Sequence, residues 1–408
     1  MSGALRPRRL LAVALALVMA AQALVVVAAD DLGPPIGSLF ACERPGVTPP
    51  RCTSVGDSPR HYVAFDDSLI EPLRVAVHDA MVGDYGPTDL VMIEQEAPNG
   101  LTDVIVYSSD YGENGAAGWV YCPRDAPQGA NPAGDRWCRA QELHFNLNPR
   151  YAGYLGDDGS RAYVACHELG HTVGLRHWGN PPESNPPVAT TCMNADTPDG
   201  PTALHADDVA RINAYAYVRH PSTRHRPLDA SPTGARLLPP FGGAVEALEI
   251  ERVPTLAAMV AASDAVVVGR LTAVTLGRSF GADDPLHYAA ATLEVESLLA
   301  GALPSADVAA LTLEIPLFGG IGELDTYRAA LPQRGLFFLR NKGTSAAAVG
   351  MSAAFQREEA AFYRLMTFDA AVLDDHGLAM VGDARNYLAA LSGMPFDVAV
   401  ATVLTQRH

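Results

Sequence analysis

The chain has 408 residues, of which 48 % are hydrophobic and 18 % are charged. This composition is typical of packed domains and excludes a mostly disordered chain, and the length predicts two domains. The formal net charge is −17 at pH 7. Such a charge disfavours binding to nucleic acid and to anionic membranes, so we expect neither as a partner.

The first 29 residues are predicted to be a secretory signal peptide. A basic start with three arginines precedes an apolar run from Leu10 to Val27, and Val27–Ala29 offers a cleavage site with small residues. The alternative is a retained membrane anchor, because the apolar run approaches spanning length. Cleavage predicts a secreted, extracellular protein without membrane contact after the signal is removed.

Changes in composition divide the rest of the chain. Residues 30–58 form an N-terminal segment rich in Pro, Gly and Ser, and residues 59–218 alternate strand-like and helix-like patterns. A proline-rich linker, 219–243, leads to residues 244–408, where runs such as "SDAVVVGRL" predict a β-rich domain. All six cysteines lie at or before Cys192, which independently supports two domains.

The elements of residues 59–218 predict an α+β domain. "HYVAF" reads as a strand and "EPLRVAVHDAMVGDYG" as a helix with apolar residues at helical spacing. Strands are predicted at "DLVMIEQ", "TDVIVYSS", "GWVYC" and "ELHFNLN", with turn residues between them. The next helix is expected to begin near Ser160 as its N-cap, and a last helix covers "ALHADDVARINAYAYV".

Three histidines are crowded into "VACHELGHTVGLRHWGN". His167 and His171 are four apart, so a helix places them on one face about one turn apart, where they can share one tetrahedral Zn²⁺. His177 is six residues further on, and a continuing helix would carry it to another face. Gly174 can adopt a positive φ, end the helix and turn the chain back, which makes His177 the third metal ligand.

Glu168 follows the first predicted ligand directly and is the candidate catalytic residue. Three neutral histidines leave one coordination position open, where zinc acidifies a water molecule, and Glu168 can take its proton as general base. The alternatives are a helix with chance histidines and a structural zinc site, which would use four protein ligands. We therefore expect one catalytic Zn²⁺ as cofactor, whereas structural Ca²⁺ has no support in the sequence.

The pattern HExxHxxGxxH, from His167 to His177, resembles the signature of the metzincin metalloproteases, closest to the matrixin branch. The resemblance covers residues 59–218. It implies a twisted mixed sheet, an active-site helix, a C-terminal helix and a methionine turn beneath the zinc, for which Met193 is the candidate. A plain core methionine is the alternative. The analogy also makes "ELHFNLN" the edge strand that pairs with extended substrate.

The resemblance also bears on the cysteines. If Met193 lies beneath the zinc, Cys166 and Cys192 must approach each other, which predicts a bridge between them, with a buried free thiol at Cys166 as the alternative. Cys122–Cys138 and Cys42–Cys52 are the predicted local pairs. Cys52, in "PPRCTSVGD", faintly resembles the matrixin cysteine switch, in which a thiolate blocks the zinc, but a Cys42–Cys52 disulfide is the alternative.

These observations predict a secreted zinc-dependent metalloendopeptidase that hydrolyses proteins or peptides, with Glu168 as general base. The alternative is a secreted zinc-containing binding or adhesion protein with little proteolytic activity. The C-terminal domain resembles small β-barrel-like appendages of secreted bacterial proteins and could bind a substrate or a surface, or brace the catalytic domain. His78, His144 and His205 have no role assigned by the motif and are expected to be structural rather than catalytic.

Overall fold

The computed structural model of the protein describes residues 58–123, 128–130, 136–175, 191–194, 201–215, 245–249, 251, 253, 255–282, 284–304, 308–318, 320–381 and 388–406. These residues form a mixed α and β structure with two large sheets and several helices, in agreement with the predicted α+β class. Outside the described residues lie the predicted signal peptide, residues 30–57 of the N-terminal segment and the whole predicted linker, 219–243. So do His177, Cys42 and Cys52.

The first sheet has six strands: β1 (Arg60–Phe65), β2 (Val91–Gln95), β3 (Val104–Ser109), β4 (Ala116–Tyr121), β7 (Gln141–Asn146) and β8 (Val245–Glu249). Their order in the sheet is β2-β1-β3-β7-β4-β8. The short strands β5 (Gln128–Ala130) and β6 (Arg136–Cys138) pair with each other separately. β1, β2, β3 and β7 run parallel, and β4 is antiparallel to both of its neighbours.

Four helices accompany this sheet: α1 (Glu71–Gly83), α2 (Ala152–Leu155), α3 (Asp158–Thr172) and α4 (Ala206–Tyr215). α1 packs against α3, and its buried residues recur at three- and four-residue spacing, as in an amphipathic helix. α3 is buried along its whole second half. A core of aliphatic and aromatic residues between sheet and helices therefore fixes α3 in place.

The start of α3 differs from the prediction. Its N-cap is Asp157, whose carboxylate accepts hydrogen bonds from the Ser160 backbone nitrogen at 2.9 Å and the Ser160 hydroxyl at 2.8 Å. The prediction that Ser160 is the cap is therefore wrong by three residues. Both residue types cap helices, but here the aspartate is the acceptor and the serine is the donor at the third helical position.

The second sheet has seven strands: β9 (Ala265–Phe280), β10 (Leu286–Gly301), β11 (Ala310–Pro316), β12 (Gln333–Asn341), β13 (Phe362–Leu365), β14 (Ala371–Asp375) and β15 (Leu378–Val381). Their order in the sheet is β13-β11-β10-β9-β12-β14-β15, so the C-terminal region is β-rich as predicted. The helices are α5 (Leu256–Ala262), α6 (Leu324–Ala329), α7 (Lys342–Ala348), α8 (Ala353–Glu359) and α9 (Phe396–Leu404). β13 pairs with both β11 and β12.

The region that contains the first sheet and the region that contains the second sheet are in direct contact. Tyr111 and Trp119 of the first region share an aromatic cluster with Tyr288 and Phe318 of the second. β8 falls in the range predicted for the C-terminal domain, yet it pairs with β4 of the first sheet. No helix among the described residues is both long and apolar enough to cross a membrane.

Candidate active site

Two histidine rings of α3, those of His167 and His171, lie edge to face in a fully buried position, with an interplanar angle of 85°. His167 Nδ1 lies 2.7 Å from the Cys192 carbonyl oxygen, and His171 Nδ1 lies 2.8 Å from the Leu175 carbonyl oxygen. Because a carbonyl can only accept, each Nδ1 carries a proton, which in a neutral ring leaves a lone pair on Nε2. The two Nε2 atoms are 3.0 Å apart. Two lone pairs at that distance repel, so the arrangement needs a cation or a proton between them.

These two residues fit a zinc ion. A Zn–N bond is about 2.0–2.1 Å long, so nitrogen atoms 3.0 Å apart can both reach one ion. Metal-binding histidines typically donate their other ring nitrogen to a carbonyl or carboxylate, which fixes the tautomer. His167 and His171 make this type of bond. The third predicted ligand, His177, lies outside the described residues.

The end of α3 contributes one of these orienting carbonyls. Gly174 has a φ of +90°, in the left-handed region that favours glycine and that the sequence analysis expects there. The Leu175 nitrogen donates to the Gly170 carbonyl at 2.9 Å, which closes the helix. This turn brings the Leu175 carbonyl back over the last helical turn, where it accepts from His171.

Met193 packs against the part of α3 that lies between the two histidines. The Met193 side chain is fully buried, and a Cβ added to Gly170 would lie 2.3 Å from the Met193 sulfur. Met193 therefore needs a glycine at position 170 to approach the helix this closely. Sequence reasoning identified Met193 by resemblance but missed Gly170, since a glycine inside a helix gives no sign of what packs on it.

The turn that carries Met193 is held by side chains. The Met193 nitrogen donates to the Thr191 hydroxyl at 3.1 Å, and that hydroxyl donates to the Asp208 carboxylate on α4 at 2.6 Å. Asp208 is fully buried. It is the second of the two adjacent acids in "ADDV", so its link to the turn gives a physical reason for an acid at that position.

The prediction of disulfide bonds is confirmed. The structure contains the pairs Cys122–Cys138 and Cys166–Cys192, with Cα atoms 6.1 Å and 6.0 Å apart. No cysteine of the described part of the chain is free, so Cys166 is not a buried thiol. The second bridge joins α3 directly to the turn that carries Met193.

Glu168 extends from α3 towards β4. Its side chain is fully buried and fills the space beside Gly118 on that strand. A Cβ added to Gly118 would lie 2.7 Å from Glu168 Oε1 and 2.9 Å from its Cγ. The glycine thus permits a close approach between the strand and the candidate base.

The prediction that "ELHFNLN" forms the sheet edge is wrong. It forms β7, which pairs with β3 on one side and with β4 on the other, so both of its backbone edges are occupied. Five of its six residues are buried, as is typical of an interior strand. β4 lies outside β7, and its own outer edge pairs with β8.

A second group of potential metal ligands lies where the two regions meet. Donor atoms of Glu142, His144 and Asp284 lie within 4.8 Å of one another. His144 Nε2 is 3.4 Å from Glu142 Oε2 and 3.6 Å from Asp284 Oδ2, and the ring stacks on Trp119. Burial and the neighbouring Glu142 charge raise the pKa of Asp284. The His144 ring is thus bounded by two carboxylates and an aromatic ring, and its Nδ1 lies 3.0 Å from the Tyr111 hydroxyl.

His78 and His205, the other two histidines expected to be structural, make contacts away from the candidate site. His78 Nδ1 lies 2.9 Å from Glu94 Oε2 at an exposed position. The His205 backbone nitrogen donates to the Asp208 carboxylate at 3.1 Å. Neither contact brings these side chains to the pair formed by His167 and His171.

Comparisons with known proteins assign no family to the chain. No family model matches the sequence, and no curated protein matches it significantly.

Proposed function

We propose that the protein is a secreted zinc-dependent metalloendopeptidase. One observation carries the proposal: the His167 and His171 Nε2 atoms are 3.0 Å apart while both Nδ1 atoms face carbonyl oxygens. Zinc, when bound, would polarise a peptide carbonyl and acidify water at the open position. His167 and His171 would hold it, with His177 as the third ligand according to the motif.

The protein's own residues supply the remaining chemistry. The carbonyl groups of Cys192 and Leu175 orient the two imidazole rings and keep the proton on Nδ1. Glu168 follows the first ligand, and its carboxylate would take a proton from the attacking water and deliver it to the leaving nitrogen. The β4 backbone beside Glu168 would align an extended peptide.

Further features support a metzincin-like catalytic domain in a secreted protein. The mixed sheet, the helix that carries the motif, the turn at Gly174 and the position of Met193 against α3 are what the resemblance to matrixins implies. Two disulfides favour an oxidising compartment. In the second sheet, pairing continues from β9 through β10, β11, β13 and β12 back to β9, which supports a small barrel.

One observation favours the second candidate, a zinc-containing binding protein with little proteolytic activity. The outer edge of β4, beside Glu168, is already paired with β8. Hydrolysis of casein and of a fluorogenic peptide should be measured before chelation, after chelation and after zinc is restored. We expect activity that disappears with the chelator and returns with zinc. Activity that is unchanged in metal-free samples would reject a zinc enzyme.

A further inference from the structure

The outer edge of β4 is occupied by a segment from the far side of the linker. β8 runs antiparallel to β4 with Ala116 opposite Glu249, Trp119 opposite Ala247 and Tyr121 opposite Val245. The pairing is irregular between Ala116 and Trp119, the part of β4 that contains Gly118 and faces Glu168. β8 also contacts α3. It therefore lies against both elements that meet at Glu168.

An extended peptide that adds to a sheet needs the backbone N–H and C=O groups of an edge strand. Without β8, the order of the first sheet ends β3-β7-β4, and β4 is the edge strand next to α3. β2, at the opposite end of the sheet, pairs with β1 and is separated from β4 by three strands. A peptide that approaches Glu168 as a strand must therefore use the same backbone groups as β8.

We propose that β8 is an intramolecular occupant of the outer edge of β4 and that it competes with an extended peptide segment for the backbone groups of that edge. A substrate must then displace β8 before it can lie beside Glu168. The inference deepens the proposed function, because it assumes that substrate binds along β4. The binding of a peptide at this edge does not itself require catalysis.

The C-terminal end of β8 is held in place by ion pairs. Glu251, two residues after β8, accepts from Arg150 at 2.6 Å and Arg364 at 2.5 Å, and Arg340 lies 3.3 Å away. Burial alone would raise the pKa of Glu251, but the charges of Arg364 and Arg340, then Arg150, outweigh it and hold the pKa at about 2. Glu251 is therefore ionised and paired at neutral pH. Displacement of β8 can break its pairing with β4 while this anchor persists.

Because β8 stays attached to the protein, it competes strongly with a free peptide for the edge of β4. A tethered occupant acts at an effective concentration that is typically millimolar for short flexible links. A free peptide of comparable affinity must exceed that concentration to win. Disrupting β8 should therefore improve the binding of an external peptide about tenfold or more.

The competing interpretation is that β8 permanently covers an edge that would otherwise aggregate. In that case β8 is part of the sheet, and weakening it would lower stability without creating a peptide-binding surface. The two interpretations differ in peptide affinity and in whether an external peptide can replace β8.

The first test replaces Glu246 and Ala247 together by proline. Successive N–H groups of a strand point in opposite directions, so one of the two prolines removes an N–H that faces β4. The double-proline variant is compared with the parent chain, and both carry Glu168→Ala so that the peptide is not cleaved. The probe is a fluorescein-labelled peptide with the sequence of residues 243–251. Fluorescence anisotropy should show about tenfold or greater tightening in the proline variant. Equal affinity in a folded variant would overturn the inference.

Ala353→Pro is the matched control. Ala353 is exposed and is the first residue of α8, after the N-cap Ser352, where proline is tolerated. This variant should bind the peptide as weakly as the parent chain. Hydrogen exchange on the same samples checks the fold: β4 should lose protection in the double-proline variant while β3 keeps it.

A second test needs no destabilising substitution. The Glu168→Ala chain is incubated with unlabelled peptide at concentrations up to well above the millimolar effective concentration of the tethered segment, and hydrogen exchange is followed in β8 and β4. Displacement predicts faster exchange in β8 and continued protection in β4. Unchanged exchange in β8 would overturn the inference, even if the double-proline variant failed to fold. Since neither test measures hydrolysis, a chain that exchanges β8 for peptide but never cleaves would reject the proposed function alone.

Discussion

Gly118→Ala tests whether Glu168 acts from its position beside β4. The new Cβ would lie 2.7 Å from Glu168 Oε1, and ordinary contact begins at 3.4 Å, so the carboxylate must move by about 0.7 Å. A misplacement of 1 Å can cost about 10²-fold in rate. We therefore expect kcat/KM to fall about 10- to 100-fold. Stability should fall by about 1–3 kcal/mol, the usual cost of overpacking, because Glu168 is fully buried and its Cγ as well as its carboxylate would lie too close.

The assay is cleavage of a fluorogenic peptide, with bound zinc and the thermal midpoint measured on the same preparation. Gly153→Ala on α2 is the control, since no heavy atom lies within 4 Å of the Cβ it would add. Gly118→Ala should keep its zinc and lose activity, and Gly153→Ala should keep both. Full activity in Gly118→Ala would refute the argument that Glu168 works at this contact.

Three further variants probe the packing around α3 and the buried acid at the end of α1. Gly170→Ala would place a Cβ 2.3 Å from the Met193 sulfur, so urea unfolding should show a loss of about 1–3 kcal/mol, and an unchanged midpoint would contradict this packing. Replacing Cys166 and Cys192 by alanine removes a closure of 26 residues and should lower the unfolding free energy by about 3–4 kcal/mol, where a loss below about 1 kcal/mol would contradict it. Burial raises the pKa of Asp84 from 3.8 to about 6, so the folded state holds this proton more tightly than the unfolded state, and stability falls as the pH rises through that interval. Asp84→Asn should therefore raise the thermal midpoint more at pH 7.5 than at pH 4, and equal changes at both pH values would contradict the shift.

Local spacing made α3 and its end predictable. Residues four apart share a helix face whatever surrounds them, so His167 and His171 could be paired from the sequence alone. The turn at Gly174 followed from the conformational freedom of glycine. The approach of Cys166 and Cys192 depended on the resemblance, because nothing in their own spacing brings residues 26 apart together.

Strand order could not be read in the same way. β7 and β4 are each short strands with apolar residues, and which of them lies at the edge depends on pairings between segments that are distant in sequence. The pairing of β8 with β4 joins segments that are even further apart in the sequence, because β8 follows the linker and β4 lies near residue 120. The roles of Gly118 and Gly170 could not be predicted for a related reason. Each glycine allows a side chain from elsewhere in the fold to approach closely, and the sequence around the glycine does not indicate which side chain that is.

Zinc content and peptide hydrolysis, measured on one sample with and without Glu168, test the central proposal most directly. The chain and its Glu168→Ala variant are compared, each also with the β8 prolines so that occupancy of β4 cannot hide activity. We predict about one zinc per chain in all four samples, and turnover that falls 10²- to 10⁴-fold when Glu168 is removed. Zinc-loaded samples that hydrolyse no peptide with Glu168 present, or hydrolyse it equally well without Glu168, would contradict the proposal.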